Sequence, residues 1–230
     1  MAWNEDWADD FLKEMQKRQV ELDFFSWHIY CNEPQWLVQK AERLKKRLVK
    51  YGYENSESIL NEWNYIKGWT DEFLYSIKTM HGIKGAVFTM ACITASQHSS
   101  IDMLMYYDTR PSAFNGVFDF YTYEPLKGYY PLMWYGKFYD TEYEVICDDS
   151  PENIYTLCGV KKDGKTLSVV TYYTDSEQEA ESKEISIDFG REGKYKIYLL
   201  DGEHDGEEIS QTSDLALNLK PNTCVLIEEI

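Results

Sequence analysis

Basic side chains are scarce in this chain. Lys and Arg total 23 against 40 Asp and Glu, a formal net charge of −17. Neutralising a phosphate backbone or docking on an anionic membrane needs clustered cations, so neither a nucleic acid nor a membrane is expected as partner. No apolar run approaches the roughly 20 residues that span a bilayer. The five cysteines, Cys31, Cys92, Cys147, Cys158 and Cys224, are scattered and odd in number. No Cys-x-x-Cys or His-rich spacing accompanies them, so no metal or other cofactor is expected. They read as buried thiols of a reducing compartment. The opening stretch MAWNEDWADDF is acidic, unlike a secretory signal, which makes a cytoplasmic location the expectation. Aromatics, by contrast, are abundant at 16%, with 19 Tyr and 7 Trp. Each of these two side chains joins a flat apolar face to a polar edge, which suits a core and equally suits a cleft that binds sugars.

The periodicity changes along the chain. Residues 5–19 carry Trp7, Phe11 and Met15 at four-residue spacing, the stripe of an amphipathic helix. Residues 22–30, LDFFSWHIY, have the length and composition of a buried strand. Pro34 opens a second helix, with Leu37, Ala41, Leu44 and Leu48 as its apolar stripe and Gly52 as its stop. SILNEWN is a second strand. A helical region follows in two pieces broken near Gly82, the second apolar on most sides. IDMLMYYD is a third strand, and GYYPLMWYGKFYD a last helix that Pro131 starts or kinks. From about Thr141, strands come at short intervals. Turn signals at Asp163-Gly164, Gly190, Asp201-Gly202 and Asp205-Gly206 separate them, the pattern of an antiparallel β-sandwich. DSEQEAESKE reads as a solvated acidic loop. The expected organisation is α/β over residues 1–140 and all-β over 141–230. Strands alternating with helices imply parallel pairing. Three such strands leave two open sheet edges, so either another chain, or a second copy of this one, supplies the missing strands, or the chain is the end of something longer.

One stretch, Ile59-Leu60-Asn61-Glu62-Trp63-Asn64, sets a carboxylate at the end of a short apolar run. With DFFSWHIY before it, this order resembles strands six and seven of retaining glycoside hydrolases with a (β/α)8 barrel, most closely glycoside hydrolase family 39, the β-xylosidase and α-iduronidase family. Ser26, His28 and Tyr30 match that family's Ser-x-His-x-Tyr-like motif. Asn61, Glu62 and Trp63 match its Thr-Glu-Trp-like motif, with Asn61 departing from Thr. A β-sandwich after the barrel is also similar. The resemblance implies a partial (β/α)8 barrel, the last three βα units, followed by the sandwich. It implies Glu62 as nucleophile, His28, Tyr30, Asn61, Trp63 and Asp108 as substrate-binding residues, and a carbohydrate such as a xylo-oligosaccharide as ligand.

The chemistry asks for a second carboxylate about 5–5.5 Å from the first. Asn32-Glu33-Pro34 has the composition of the clan's acid/base tripeptide, but that tripeptide ends strand four, and only 29 residues separate Glu33 from Glu62 (62 − 33). It reads first as a helix start, with Asn32 or Glu33 as cap. Glu33 is the reserve acid/base. Trp63 and Trp69 are candidate sugar-stacking platforms. The plainer alternatives stand beside these: Glu62 as a helix cap, His28 as a satisfied buried imidazole, Asp108 as a turn residue, and Trp63 and Trp69 as core, core being favoured for Trp69. Two functions follow: the C-terminal portion of a retaining glycosidase, or a non-catalytic carbohydrate-binding or assembly module derived from one.

Overall fold

The computed structural model describes residues 4–147, 149–176 and 180–230. Three strands, β1 (Phe24–Cys31), β2 (Glu57–Tyr65) and β3 (Met103–Tyr106), form a parallel sheet in that order. Among the described residues five α-helices accompany it: α1 (Glu5–Arg18), α2 (Pro34–Lys50), α3 (Phe73–His81), α4 (Ile83–Ser96) and α5 (Tyr129–Lys137). Pro34 takes the first helical position of α2, where its missing N–H costs nothing. Leu37, Ala41, Leu44 and Leu48 are all buried, and each leucine contributes roughly 1.5–3 kcal/mol by leaving water. The helix stops at Gly52, whose φ of +82° suits a residue without Cβ. There the Tyr53 and Gly52 N–H groups return to the carbonyls of Leu48 and Val49 at 2.8 and 3.1 Å.

Helix α1 is rotated from its expected face. Ala8 and Leu12 are buried, while Trp7 is 52% exposed and stacks on Phe11. One residue of offset is about 100° of helix, so a four-residue spacing names a stripe without fixing which edge of it packs. Helix α4 is buried from Lys84 to Ile93 because it lies between two layers, packing on α2, α3 and β2 on one side and on the strands Ile154–Lys161, Thr166–Tyr172 and Thr223–Glu229 on the other.

The remaining strands are β4 (Thr141–Glu144), β5 (Ile154–Lys161), β6 (Thr166–Tyr172), β7 (Lys183–Ser186), β8 (Tyr195–Leu200), β9 (Asp205–Thr212), β10 (Ala216–Leu219) and β11 (Thr223–Glu229). Six form an antiparallel sheet in the order β4-β5-β6-β11-β8-β9, and β10 pairs with β7 separately. Every residue of β6 is buried, because one face meets α4 and the other meets β7 and β10. Leu167 and Val169 join the core around α4, and Val170 and Tyr172 join the core between the sheets. Two expectations change here. Asp205-Gly206 does not end a strand; it starts β9, with Gly206 at φ +80° in a bulge between Leu199 and Leu200. The closing stretch LALNLKPNTCVLIEEI, which reads from the sequence as the last strand segment, is two strands: Lys220-Pro221-Asn222 separates β10 from β11, which belong to different sheets.

Candidate active site

The parallel sheet has one covered face and one open face. On β1, Phe25, Trp27, Ile29 and Cys31 are buried among the helices, and Phe24, Ser26, His28 and Tyr30 line the other side. Strict alternation would give β2 the opposite outcome at Glu62, since Ser58 and Leu60 are buried. A bulge intervenes. Trp27 pairs with Leu60 but His28 pairs with Glu62, so Asn61 is the extra residue. The same irregularity falls between Leu60 and Trp63 against β3. The bulge reverses the parity of the strand: Glu62 joins the open face and Trp63 and Tyr65 turn into the core.

On that face the Tyr30 hydroxyl donates a short hydrogen bond to Glu62 Oε1, across the β1–β2 pair. Burial, then this bond and the carboxylate's charge, push the phenol far above its ordinary range, so it stays protonated and keeps donating. Burial pulls His28 below its ordinary pKa against the attraction of Glu62, leaving a neutral ring at pH 7. Asn61 is exposed beside Glu62. Asp108 follows β3 across a cis peptide bond from Tyr107 and is paired to Arg110, Nε to Oδ2 2.7 Å. Its charge bears on Tyr30, adding in a small way to the rise of that phenol's pKa. Asn64 ties the strand ends together, donating to the Tyr107 carbonyl at 2.8 Å.

The two tryptophans exchange their expected roles. Trp63 is 1% exposed and packs against Phe88 and Tyr106. It has no face to offer a ligand, because the bulge that exposes Glu62 buries its successor. Trp69 is 59% exposed and meets the Tyr30 ring edge to face, centroids 5.2 Å apart.

A second polar cluster lies just beyond the ends of β1 and β2. Asp175, on the segment after β6, is 7% exposed at its side chain, which corrects the solvated reading of DSEQEAESKE at its first residue. Residues 177–179 of that stretch lie outside the described residues. Asp175 accepts from Tyr65 (2.6 Å), Asn32 (3.0 Å), Lys84 (3.0 Å) and Lys67 (3.0 Å). Burial alone would raise its pKa, but the Tyr65, Lys84, Lys67 and Asn32 hydrogen bonds prevail and hold it at about 2. Asn32 is therefore not a helix cap. Glu33 takes the N-cap position of α2 without a side-chain bond. Burial and the Asp175 charge raise its pKa, with Lys84 and Lys67 opposing. No sequence signal marked Asp175, since it sits in an acidic run and acts 110 residues from Tyr65.

Among the described residues no group of three or more His, Cys, Asp or Glu could hold a metal ion, and no helix is long and apolar enough to cross a membrane. A hollow of about 890 Å³ opens at the opposite end of β1 and β2, lined by Val20, Leu22, Tyr51, Tyr53 and Ser56, away from Glu62.

No family model and no curated protein matches the chain. Solved structures do. A glucosidase from Croceicoccus marinus is 17% identical and superposes with a TM-score of 0.76, over 99% of this chain and 57% of that one. A glycoside hydrolase family 39 β-xylosidase from Caulobacter crescentus is 12% identical, TM-score 0.68, over 97% and 54%. A family 51 α-L-arabinofuranosidase from Thermotoga petrophila is 14% identical, TM-score 0.62, over 99% and 56%. The chain thus spans a little over half the length of these proteins and shares their fold over that part.

Proposed function

We propose that this chain forms the last three βα units and the β-sandwich of a retaining glycoside hydrolase, with Glu62 as nucleophile once further strands close the barrel. A barrel of this type has eight parallel strands and carries its catalytic groups toward their C-terminal ends. The observation that carries the reading is the Tyr30–Glu62 hydrogen bond on the open face, created by the Asn61 bulge. A carboxylate is turned out of the core, stripped of part of its water and held by a phenol on one oxygen. That arrangement orients the other oxygen for attack.

In the retaining sequence, the Glu62 carboxylate attacks the anomeric carbon and a glycosyl ester forms. A second carboxyl group protonates the departing oxygen, then accepts a proton from the water that cleaves the ester. Glu33, with its raised pKa, is this chain's reserve for that role, and a carboxyl from the added strands is the alternative. His28 and Asn61 offer hydrogen bonds to sugar hydroxyls, and Asp108 a further acceptor. An aryl glycoside with a good leaving group needs little acid assistance, so it interrogates the nucleophile alone. In the barrel-completed enzyme, Glu62→Ala is expected to lower its turnover at least about a thousandfold. Turnover left intact would remove the assignment.

A second reading, a non-catalytic carbohydrate-binding or assembly module, draws on a different observation. The open face also carries exposed Phe24, Met103 and Met105, which suit a protein surface better than a sugar. That reading predicts glycan binding or a stable assembly without turnover.

A further inference from the structure

Two parallel strands joined through a helix have no tight turn to set their register. Beyond the bulge at Asn61, β1 and β2 share a short stretch that runs from the His28–Glu62 rung to the Cys31–Tyr65 rung. The Tyr30–Glu62 hydrogen bond lies within it. The C-terminal end of that stretch is held by the β-sandwich. The Tyr173 hydroxyl, just after β6, donates to the carbonyl of Asn32, one residue past the end of β1. Two residues on, the Asp175 carboxylate takes Asn32 Nδ2 on one oxygen at 3.0 Å and the Tyr65 hydroxyl on the other at 2.6 Å. Tyr65 is the last residue of β2. One carboxylate therefore bridges the ends of both strands. The segment that carries it is fixed within the sandwich: the Tyr173 N–H donates to the Asn153 carbonyl and the Thr174 N–H to Asn222 Oδ1, both at 3.1 Å. The Tyr173 and Tyr65 rings pack on the same Phe88, with centroids 5.5 and 5.4 Å away.

We propose that Asp175 and Tyr173 are positioning residues for the Tyr30–Glu62 pair, so that the sandwich is part of the site and not an appendage to it; this rests on the reading of Glu62 as nucleophile. The bulge turns Glu62 outward, and the clamp keeps the rungs beyond it from sliding or splaying. A residue of slip moves a strand by about 3.3 Å, and an O–H···O bond is made only within about 3.0 Å. A fraction of a rung is therefore enough to part the phenol from the carboxylate. Asn32 lies two residues beyond Tyr30 and Tyr65 three beyond Glu62, so a tie at that height sets both side chains. Lys84 and Lys67, each at 3.0 Å, hold the same Asp175 carboxylate from the α/β side. Four donors on two oxygens leave it one orientation. Asp175 and Tyr173 act through Asn32 and Tyr65, not on the reacting atoms.

The test is proton NMR of the whole 230-residue chain, reading the Tyr30 hydroxyl proton. A short bond to a carboxylate shifts that proton downfield and slows its exchange with water, and Tyr30→Phe assigns it by its loss. Tyr65→Phe with Tyr173→Phe removes one hydroxyl at each strand end, keeps both rings and leaves the Lys84–Asp175 ion pair in place. This double variant is expected to lose the resonance. It is also expected to quicken exchange of the Ile66 N–H, bonded to the Cys31 carbonyl at 3.0 Å, about tenfold. Asp175→Ala should do the same. Ile197→Ala, a cavity in the sandwich core away from the clamp, is expected to keep both signals. Circular dichroism confirms that each variant folds. A resonance that persists in the double variant overturns the clamp and leaves the Glu62 site standing. Its loss in Ile197→Ala as well makes the effect one of general stability and overturns the clamp too. A wild-type chain without the resonance removes the bond on which the nucleophile reading rests, and the positioning role falls with it.

Discussion

The Asp175 carboxylate, on the segment after β6, collects four donors from the α/β half of the molecule. Removing it takes the carboxylate from the buried Lys84, which keeps the Tyr75 hydroxyl and the residue-175 carbonyl, so Asp175→Ala is expected to cost about 3 kcal/mol in urea denaturation, the lower end for breaking a buried ion pair. The pH dependence follows from its pKa of about 2, below the ordinary 3.8. A depressed carboxylate stabilises the fold above the unfolded value and loses that contribution as pH falls. About 2 kcal/mol should therefore disappear between about pH 4 and pH 2. Denaturation midpoints followed down that window should fall more steeply for the wild type than for Asp175→Asn; parallel curves would show that the charge is not what stabilises. His28 gives a second residue-scale outcome. Its ring should titrate below 6.5 by NMR, and Glu62→Gln should lower it further by removing the carboxylate that pulls it up. His28, Tyr30 and Glu62 are reached through the resemblance of two short motifs, and alternation along β1 alone sets His28 and Tyr30 on one face. The sequence could not name Asp175 or distinguish Trp63 from Trp69, because those depend on a bulge and on a contact between distant segments.

The Asn61 bulge is the element on which the site turns. Side chains of a strand alternate with a period of two, so a one-residue change of register moves every later side chain to the other face. Deleting Asn61, the extra residue, should leave a regular strand in which Glu62 follows Leu60 directly, still opposite His28, with Trp63 and Tyr65 still in the core. The deletion is thus expected to keep cooperative thermal unfolding, as is Asn61→Ala, which keeps the bulge. A deletion variant that no longer unfolds cooperatively would mean that the bulge does more than set which face Glu62 takes. The junction of α3 and α4 makes a second element-scale case. A Cβ on Gly85 would meet the Thr79 carbonyl and approach Met80 Cα to 2.7 Å, so Gly85→Ala is expected to destabilise by about 1–3 kcal/mol through overpacking, despite alanine's better helix propensity. The helices and most strands were legible because period and turn residues agree. Strand β9, DGEEISQT, was not, since its charged residues face water on a sheet edge and its glycine mimics a turn.

At the scale of the whole molecule, two forces oppose each other on the open sheet. Strands β1 and β3 each pair on one side only within the three-stranded sheet, and unpaired edges template further strands. Phe24, Met103 and Met105 add apolar surface on or beside them. Against this stands a net charge of −17, which makes two copies repel. Salt screens the repulsion, shortening its reach from about 30 Å at 0.01 M to about 3 Å at 1 M, and leaves the apolar attraction in place. If the open face associates with a second copy, light scattering should report masses above 27.1 kDa that grow as salt is raised. Phe24→Lys with Met105→Lys should return the monomer at every salt concentration. Both substitutions lie on exposed positions, so they leave the helix-side core untouched. A wild-type chain that remains at 27.1 kDa throughout would exclude self-completion. The strands that close the barrel would then have to come from a different stretch of polypeptide, whose inner face should carry apolar side chains to cover Phe24, Met103 and Met105 and a carboxylate within reach of Glu62.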